Sequence, residues 1–135
     1  KFNLIQVPFN VLDQRLIEKK RLTKLKKKYI EVHVRSIFLQ GILLLKKKLF
    51  PKKLKNLNKE LMVWKNWIEK NKLNPLQVCL LHALNHSKLD GIVVGCDSKN
   101  QLDEILKVKK IKNNISLSGL NIKNKNLIDP RKWVN

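Results

Sequence analysis

The stretch NPLQVCLLHALNHSKLDGIVVGCDSKNQLDEI, residues 74–105, indicates two helices joined by a short strand. Asn74 is a typical helix N-cap, and Pro75 suits the first helical position because its missing N–H would be unpaired there anyway. Ser98 and Gln101 have the spacing of a capping box at the start of the second helix. The sequence therefore predicts a capped helix on either side of the strand.

The strand between the two helices is predicted from an apolar run. Asp90 and Gly91 turn the chain into Ile92–Val94, a run without polar alternation, which is typical of a strand covered on both faces. Gly95 then leads to a helix whose first backbone N–H groups have no partner within the helix, and such groups suit a phosphate. We therefore expect an α/β fold with a phosphate site at the exit of this strand.

The upstream sequence repeats the alternation of strands and helices. Residues 2–8 form an apolar run closed by a proline, residues 10–28 have the pattern of an amphipathic helix, residues 29–36 alternate as a strand does, and residues 61–68 have helical spacing. Such alternation predicts a parallel sheet with right-handed crossovers. Because three parallel strands leave edges exposed, and because the chain starts without methionine, we expect it to be the back portion of a larger domain.

The composition is strongly basic. The chain of 135 residues holds 30 basic and 10 acidic residues, for a net charge of +20. Only four of the basic residues are arginine, the better side chain for phosphate and base contacts, and the lysines are scattered over every segment. A drift in composition therefore explains the charge better than nucleic-acid binding does. We regard a nucleic-acid partner as unlikely and keep a small basic nucleic-acid-binding protein as the alternative.

Other classes of protein are disfavoured by missing signals. The sequence has no secretory signal and no apolar stretch near the roughly 20 residues that span a bilayer, so we expect no membrane and a cytoplasmic location. Cys79 and Cys96 lack zinc-site spacing and are expected to be reduced, buried thiols. His82 and His86 lie four positions apart, but no third ligand has suitable spacing, so we expect no metal site.

Four segments together carry a family resemblance. Three of them are strand exits and one is the helix before the last strand, and they resemble the last three β/α units of the aldo/keto reductases. They read QVPFN at 6–10, VRSIFLQGILL at 34–44, LNPLQVCLLHAL at 73–84 and VVGCDSKNQLDEI at 93–105. The closing LIDPRKW at 127–133 is similar to the tail of bacterial members.

The resemblance implies a fold and a domain organisation. The chain would form the C-terminal portion, about the last three β/α units, of a (β/α)₈ TIM barrel. In this reading residues 1–135 are one partial aldo/keto reductase barrel, with β/α units over 1–112 and a C-terminal tail over 113–135.

The same resemblance implies an activity. It is that of an NAD(P)H-dependent oxidoreductase acting on a small-molecule carbonyl or sugar-like substrate, with NADP or NAD as the nicotinamide dinucleotide. The family's catalytic tetrad of Asp, Tyr, Lys and His comes from the first half of the barrel. Lys28, Tyr29 and His33 lie on the wrong strand for those roles, so we expect no catalytic residue here and no activity from this chain alone.

Eleven residues match cofactor-binding positions of the family. The resemblance places Gln6 at the nicotinamide carboxamide and Arg35 against the nicotinamide ring. It places a second group along the pyrophosphate, namely Ser36, Phe38, Gln40 and Gly41, and a third group around the adenosine end, namely Gly95, Cys96, Ser98, Gln101 and Glu104. Without the family context, Ser98 with Gln101 is first a helix cap, and Gly95 serves a turn.

Two departures from the family leave the choice of cofactor open. Gln101 stands where many members have an arginine for the ribose 2′-phosphate, and Ile105 stands where many have an asparagine for the adenine. A neutral amide is a weaker partner for a dianion than a guanidinium is.

Overall fold

Strands and helices alternate along the chain as predicted. The computed structural model describes residues 2–108, 117, 119–124 and 126–133. Within them lie three strands and four α-helices, besides short 3₁₀ turns. The strands are β1 (Leu4–Pro8), β2 (Glu31–Arg35) and β3 (Gly91–Ile92), and the helices are α1 (Arg21–Lys26), α2 (Asn58–Lys70), α3 (Pro75–Leu84) and α4 (Lys99–Lys107).

The three strands form one parallel sheet in the order β1-β2-β3, which confirms the predicted sheet. Gln6 lies opposite His33, and His33 lies opposite Gly91. The pairing of β3 extends beyond its two residues, because Asp90 N donates to the Val32 carbonyl at 3.0 Å and Val93 N donates to that of Val34 at 2.8 Å. All three strands therefore end at the same edge of the sheet.

One face of the sheet is covered by the helices. Val32 and Val34 are completely buried there and pack with Phe9, Leu22 and Leu80. The opposite face, which we call the open face, presents the polar side chains of Gln6, Glu31, His33 and Arg35, all of them exposed or half-buried.

The expectation that Ile92–Val94 is covered on both faces is wrong for the described chain. Ile92 and Val94 pack against the helices, whereas Val93 is 42% exposed. Successive side chains of a strand point to opposite faces, and the described residues supply helices on one face only. The run is apolar on both sides, but only one side has a packing partner here.

The predicted helix over residues 10–28 is much shorter in the structure. Residues 11–17 form an irregular loop that ends in a turn at 15–17, a 3₁₀ turn covers Glu18–Lys20, and only Arg21–Lys26 is α-helical. The cause is Asn10, whose side-chain oxygen accepts from the backbone N–H groups of Leu12 at 3.0 Å and Asp13 at 2.9 Å. This local loop competes with the helix, as asparagine side chains commonly do.

The buried apolar residues form two clusters. The first covers the sheet, and the second lies between α2, α3 and the C-terminal tail. Trp64 is completely buried, and its indole N–H donates to the Leu43 carbonyl at 3.0 Å. The tail lies along the loop after β1, where Ile122 N donates to the Leu12 carbonyl at 2.9 Å, and it also buries Leu120 and Ile128. The predicted start of the tail at residue 113 lies outside the described residues.

The two cysteines differ in environment. Cys79 is buried in α3, and burial raises the pKa of its thiol to about 12. Cys96 is exposed, which corrects the expectation that both thiols are buried. It lies in the turn between β3 and α4, beyond the cover of the core. No helix among the described residues is both long and apolar enough to span a bilayer.

Candidate functional site

Both predicted helix caps are present. The Asn74 side-chain oxygen accepts from the N–H groups of Leu76 at 2.9 Å and Gln77 at 3.3 Å. Ser98 Oγ accepts from Gln101 N at 3.3 Å, and Gln101 Oε1 accepts from Asp97 N at 2.7 Å. Ser98 therefore serves as a cap, and the Gln101 side chain is held across the turn that leaves β3.

A cavity of about 760 Å³ lies where the chain leaves β2 and β3; we call it the β3-exit cavity. It brings together seven of the eleven predicted cofactor-binding residues, which come from two segments more than 50 residues apart. These are Ser36, Phe38, Gln40, Gly41, Gly95, Gln101 and Glu104. The two strand exits predicted to cooperate therefore do meet in space.

The charge in the β3-exit cavity is negative. Asp97 and Glu104 line it, and none of the described side chains that line it belongs to lysine or arginine. The rest of the wall is apolar or neutral, with Phe38, Leu76 and Ile105 among its apolar members.

The loop after β2 has an unusual backbone. Ser36, Leu39 and Gln40 have φ values of 58°, 47° and 56°, in the left-handed region that residues other than glycine rarely adopt, and Gly41 follows with φ 79°. Such backbones cluster at binding sites, where the surrounding structure holds them. Here the Ser36 carbonyl accepts from Asn10 Nδ2 at 3.2 Å and from Leu39 N at 2.9 Å.

A second cavity of about 600 Å³ lies on the other side of this loop, between the exits of β1 and β2 and the C-terminal tail. Ser36 and Gln40 line both cavities. The second cavity is also lined by every arginine of the chain, namely Arg15, Arg21, Arg35 and Arg131, and we call it the arginine cavity.

Four of the predicted cofactor-binding residues lie outside the β3-exit cavity. Arg35 lines the arginine cavity and donates from Nη1 to Ser36 Oγ at 3.2 Å. Gln6 lies on the open face, exposed and opposite His33. Cys96 and Ser98 lie in the turn after β3 and are exposed, but they do not line either cavity.

Sequence reasoning missed two residues that hold the site together. Asn10 joins the exits of β1 and β2, and Asp13, only 1% exposed, accepts two hydrogen bonds from Arg15 at 2.8 and 2.7 Å. The spacing of Asn10 to the amides two and three residues later is a recognisable turn pattern. Its bond to Ser36, 26 residues away, has no local signal.

His82, in α3, and His86, just after the end of that helix, serve packing. The His82 ring stacks on Phe9 with centroids 4.6 Å apart, and the His86 ring meets the same phenylalanine edge-on at 5.8 Å. Burial and, to a smaller extent, the nearby His86 lower the pKa of His82 to about 4. Among the described residues no three His, Cys, Asp or Glu side chains are grouped as metal ligands.

Comparison with known families covers most of the chain. The Aldo/keto reductase family model matches residues 1–116, a range that contains every strand and α-helix described above. The tail that closes the arginine cavity lies beyond the matched range. No curated protein matches the chain significantly. Because the match spans well over half of the sequence, the chain belongs to the aldo/keto reductase family.

Proposed function

We propose that this chain is the cofactor-binding, C-terminal part of an NAD(P)H-dependent oxidoreductase that acts on small carbonyl or sugar-like substrates. The observation that carries the proposal is the β3-exit cavity, which joins the family's predicted cofactor residues at the carboxyl ends of parallel strands. Active sites of β/α barrels lie at that end of the strands.

The open face of the sheet supports a partial barrel. Gln6, Glu31, His33 and Arg35 are exposed or half-buried on it, and among the described residues β1 and β3 each have one neighbouring strand only. Further strands of a (β/α)₈ barrel would pair with these edges and enclose the polar face. We place the β/α units in residues 1–112 and the tail in 113–135, and we expect the Asp, Tyr, Lys and His tetrad in the rest of the barrel.

The cavity residues suit the parts of a dinucleotide. Ser36, Gln40 and Gly41 would lie along its pyrophosphate, and Gly95 leaves open space beside its backbone, since a Cβ there would meet nothing within 4 Å. Arg35 would pack its guanidinium plane on the nicotinamide, with Gln6 at the carboxamide. When bound, the nicotinamide supplies the hydride that reduces a carbonyl.

The lining of the β3-exit cavity favours NADH over NADPH. Asp97 and Glu104 bring negative charge to the cavity, and Gln101 brings a neutral amide where a guanidinium would pair with a 2′-phosphate. Carboxylates accept hydrogen bonds from a ribose diol, as in dinucleotide sites selective for NAD, and they repel a phosphate dianion.

Cofactor binding is the direct test of the proposal. We expect NADH to raise the melting temperature of the protein and to be bound at least tenfold more weakly by Gly95→Phe, whose ring would fill the cavity. Leu106→Phe is the matched control, because Leu106 is 71% exposed on α4 and does not line the cavity. Failure of NADH and NADPH to stabilise the wild-type protein would refute the proposal.

We expect one substitution to shift the proposed preference from NADH towards NADPH. We expect Gln101→Arg to raise the NADPH affinity relative to that for NADH by about tenfold or more, since a hydrogen bond to a charged group contributes about 1.5–3 kcal/mol. Asn100→Arg, which adds the same charge at an exposed neighbour outside the cavity, is the control. Titration of both cofactors, followed by their fluorescence, gives the ratio; an equal change in both variants would contradict this reading.

The net charge of +20 is the observation behind the alternative candidate, a small basic nucleic-acid-binding protein, which the family match does not favour. That function predicts nucleic-acid affinity that falls steeply with salt and no stabilisation by a dinucleotide at moderate salt. The same thermal-shift measurement therefore separates the two candidates.

A further inference from the structure

The arginine cavity collects a residue type that is scarce in this chain. Only four of 30 basic residues are arginine, and all four line this one cavity although they are spread from position 15 to position 131. The lysines, in contrast, are distributed over the whole sequence. A drift in composition explains many lysines, but it does not explain the convergence of the arginines.

Two of the four guanidinium groups are already paired with carboxylates. Arg15 donates twice to buried Asp13, and Arg131 donates to Asp129 at 2.9 and 2.7 Å. The pair with buried Asp13 fixes the cavity wall on the β1 side, whereas the pair on the tail side leaves the Arg131 side chain 88% exposed.

The other two guanidinium groups have no carboxylate partner among the described residues. Arg21 donates from Nη1 to the Arg15 carbonyl at 3.3 Å, and Arg35 donates to Ser36 Oγ. None of the ion pairs among the described residues involves either of them. The cavity therefore carries an excess of two positive charges, and both of these side chains are exposed.

The remaining lining suits a small organic anion. Leu16, Leu25, Leu39 and Ile128 supply apolar walls, while Asn10 and Gln40 add amide groups. Ser36 and Gln40 connect this cavity to the β3-exit cavity, so a molecule held here lies beside the proposed cofactor. Guanidinium groups recognise carboxylates and phosphates through paired hydrogen bonds.

We propose that the arginine cavity binds the anionic end, a carboxylate or a phosphate, of the substrate of this enzyme. The inference rests on the proposed oxidoreductase function and narrows its substrates to carbonyl compounds that carry a negative charge. Arg21 is the residue that decides the charge preference, because Arg35 is shared with the nicotinamide position.

Binding of the alcohol products tests this inference without catalysis. Alcohols are preferable to aldehydes because aldehydes condense with lysine amines, of which the chain has many. Two pairs of probes separate the two anions: 4-hydroxybutanoate against 1-butanol for a carboxylate, and glycerol 3-phosphate against glycerol for a phosphate. We expect calorimetric titration in the presence of NADH to show at least one anion bound tenfold or more tightly than its neutral twin.

Variants of Arg21 supply the controls. Arg21→Gln is expected to lower the affinity for the preferred anion about tenfold or more. It is expected to leave the affinity for NADH within about twofold of the wild-type value. Lys24→Gln removes one charge from an exposed site on the same helix, outside the cavity, and is expected to change the anion affinity by about twofold or less because salt screens distant charges. A small loss in Arg21→Lys relative to Arg21→Gln would indicate that charge dominates over the fork geometry.

The outcomes separate this inference from the proposed function. If NADH binds but both anions bind no better than their neutral twins, or if Arg21→Gln and Lys24→Gln act alike, the substrate inference is overturned and the oxidoreductase proposal stands. If NADH does not bind, the proposed function falls, and any anion bound through Arg21 is then not a substrate of such a reductase. If NADH displaces the anion completely, the cavity holds the cofactor and the inference also fails.

Discussion

Asn10 connects two strand exits through a single side chain. It accepts two backbone hydrogen bonds within its own loop and donates one to the Ser36 carbonyl, which begins the left-handed loop between the two cavities. The residue is only 2% exposed, so water cannot replace these bonds if the side chain is removed.

We therefore expect Asn10→Ala to lower the free energy of unfolding by about 2–3 kcal/mol, since it leaves buried amide and carbonyl groups unpaired. Urea unfolding followed by circular dichroism measures the change. Asn124→Ala is the matched control, because Asn124 makes the same kind of turn, to Asn126 N at 3.0 Å, at an exposed site. Equal losses in the two variants would show that burial of the Asn10 bonds contributes nothing.

His82 makes stability depend on pH. Its pKa lies at about 4 in the folded protein and near the ordinary 6.5 in the unfolded chain, because burial disfavours the charged ring. Above pH 6.5 both states are neutral. As the pH falls from 6.5 to about 4, the unfolded chain takes up a proton that folded His82 does not, so stability falls.

The expected loss across this window is on the order of 3 kcal/mol. His82→Phe keeps an aromatic ring beside Phe9 and removes the titration, so the dependence on pH should become shallower, with His86 contributing what remains. The urea concentration at the midpoint of unfolding, measured at several pH values between 4 and 7, gives the slope of stability against pH. An unchanged slope in His82→Phe would assign the pH dependence to other groups.

At the scale of elements, the two-residue strand β3 is held in place by hydrogen bonds to neighbouring elements. Asp90, just before it, accepts from Lys26 Nζ and from Val32 N at 2.7 Å, and thereby ties α1 and β2 to the start of β3. Hydrogen bonds from Lys26 and then from Val32 lower the pKa of Asp90, so this contribution to stability is lost as the pH falls below the ordinary value of 3.8. Gly91 then fits beside His33 only because it has no side chain.

A methyl group at Gly91 would lie 2.8 Å from His33 Cδ2 and 2.9 Å from Nε2, closer than carbon contacts allow. We expect Gly91→Ala to cost about 1–2 kcal/mol of stability and the double variant Gly91→Ala/His33→Ala to recover most of it. Gly95→Ala is the control, because a Cβ there meets nothing within 4 Å. If the double-mutant cycle shows no coupling between positions 91 and 33, the His33 ring moves aside freely.

Local patterns predicted the elements that local forces create. Asn74 and Ser98 do cap their helices, and the three strands do run parallel, because capping and side-chain alternation are visible over a few residues. The helix predicted over residues 10–28 was too long because the apolar spacing outweighed the local loop at Asn10, whose side chain accepts from Leu12 N and Asp13 N. Leu12 and Leu16 are buried as an amphipathic pattern requires, although neither is helical.

At the scale of the whole molecule, the candidate site could be predicted in part. The two loops that form the β3-exit cavity were identified through the family resemblance of their motifs, and the parallel sheet brings them to one edge. The arginine cavity was not predicted, because its walls come from the β1 exit, α1, the β2 exit and the tail, and no spacing in the sequence connects them. The small number of arginines is visible in the sequence, but only the folded structure shows that all four line one cavity.

The wall formed by Ser36 and Gln40 has a thermodynamic consequence. Since both residues face two cavities, a ligand that displaces this wall on one side changes the shape offered to a ligand on the other. Linkage requires such an effect to be reciprocal: whatever factor the first ligand imposes on the affinity of the second, the second imposes on the first. Any cooperativity between the two compartments would therefore have to pass through this partition, whose backbone is left-handed at both residues.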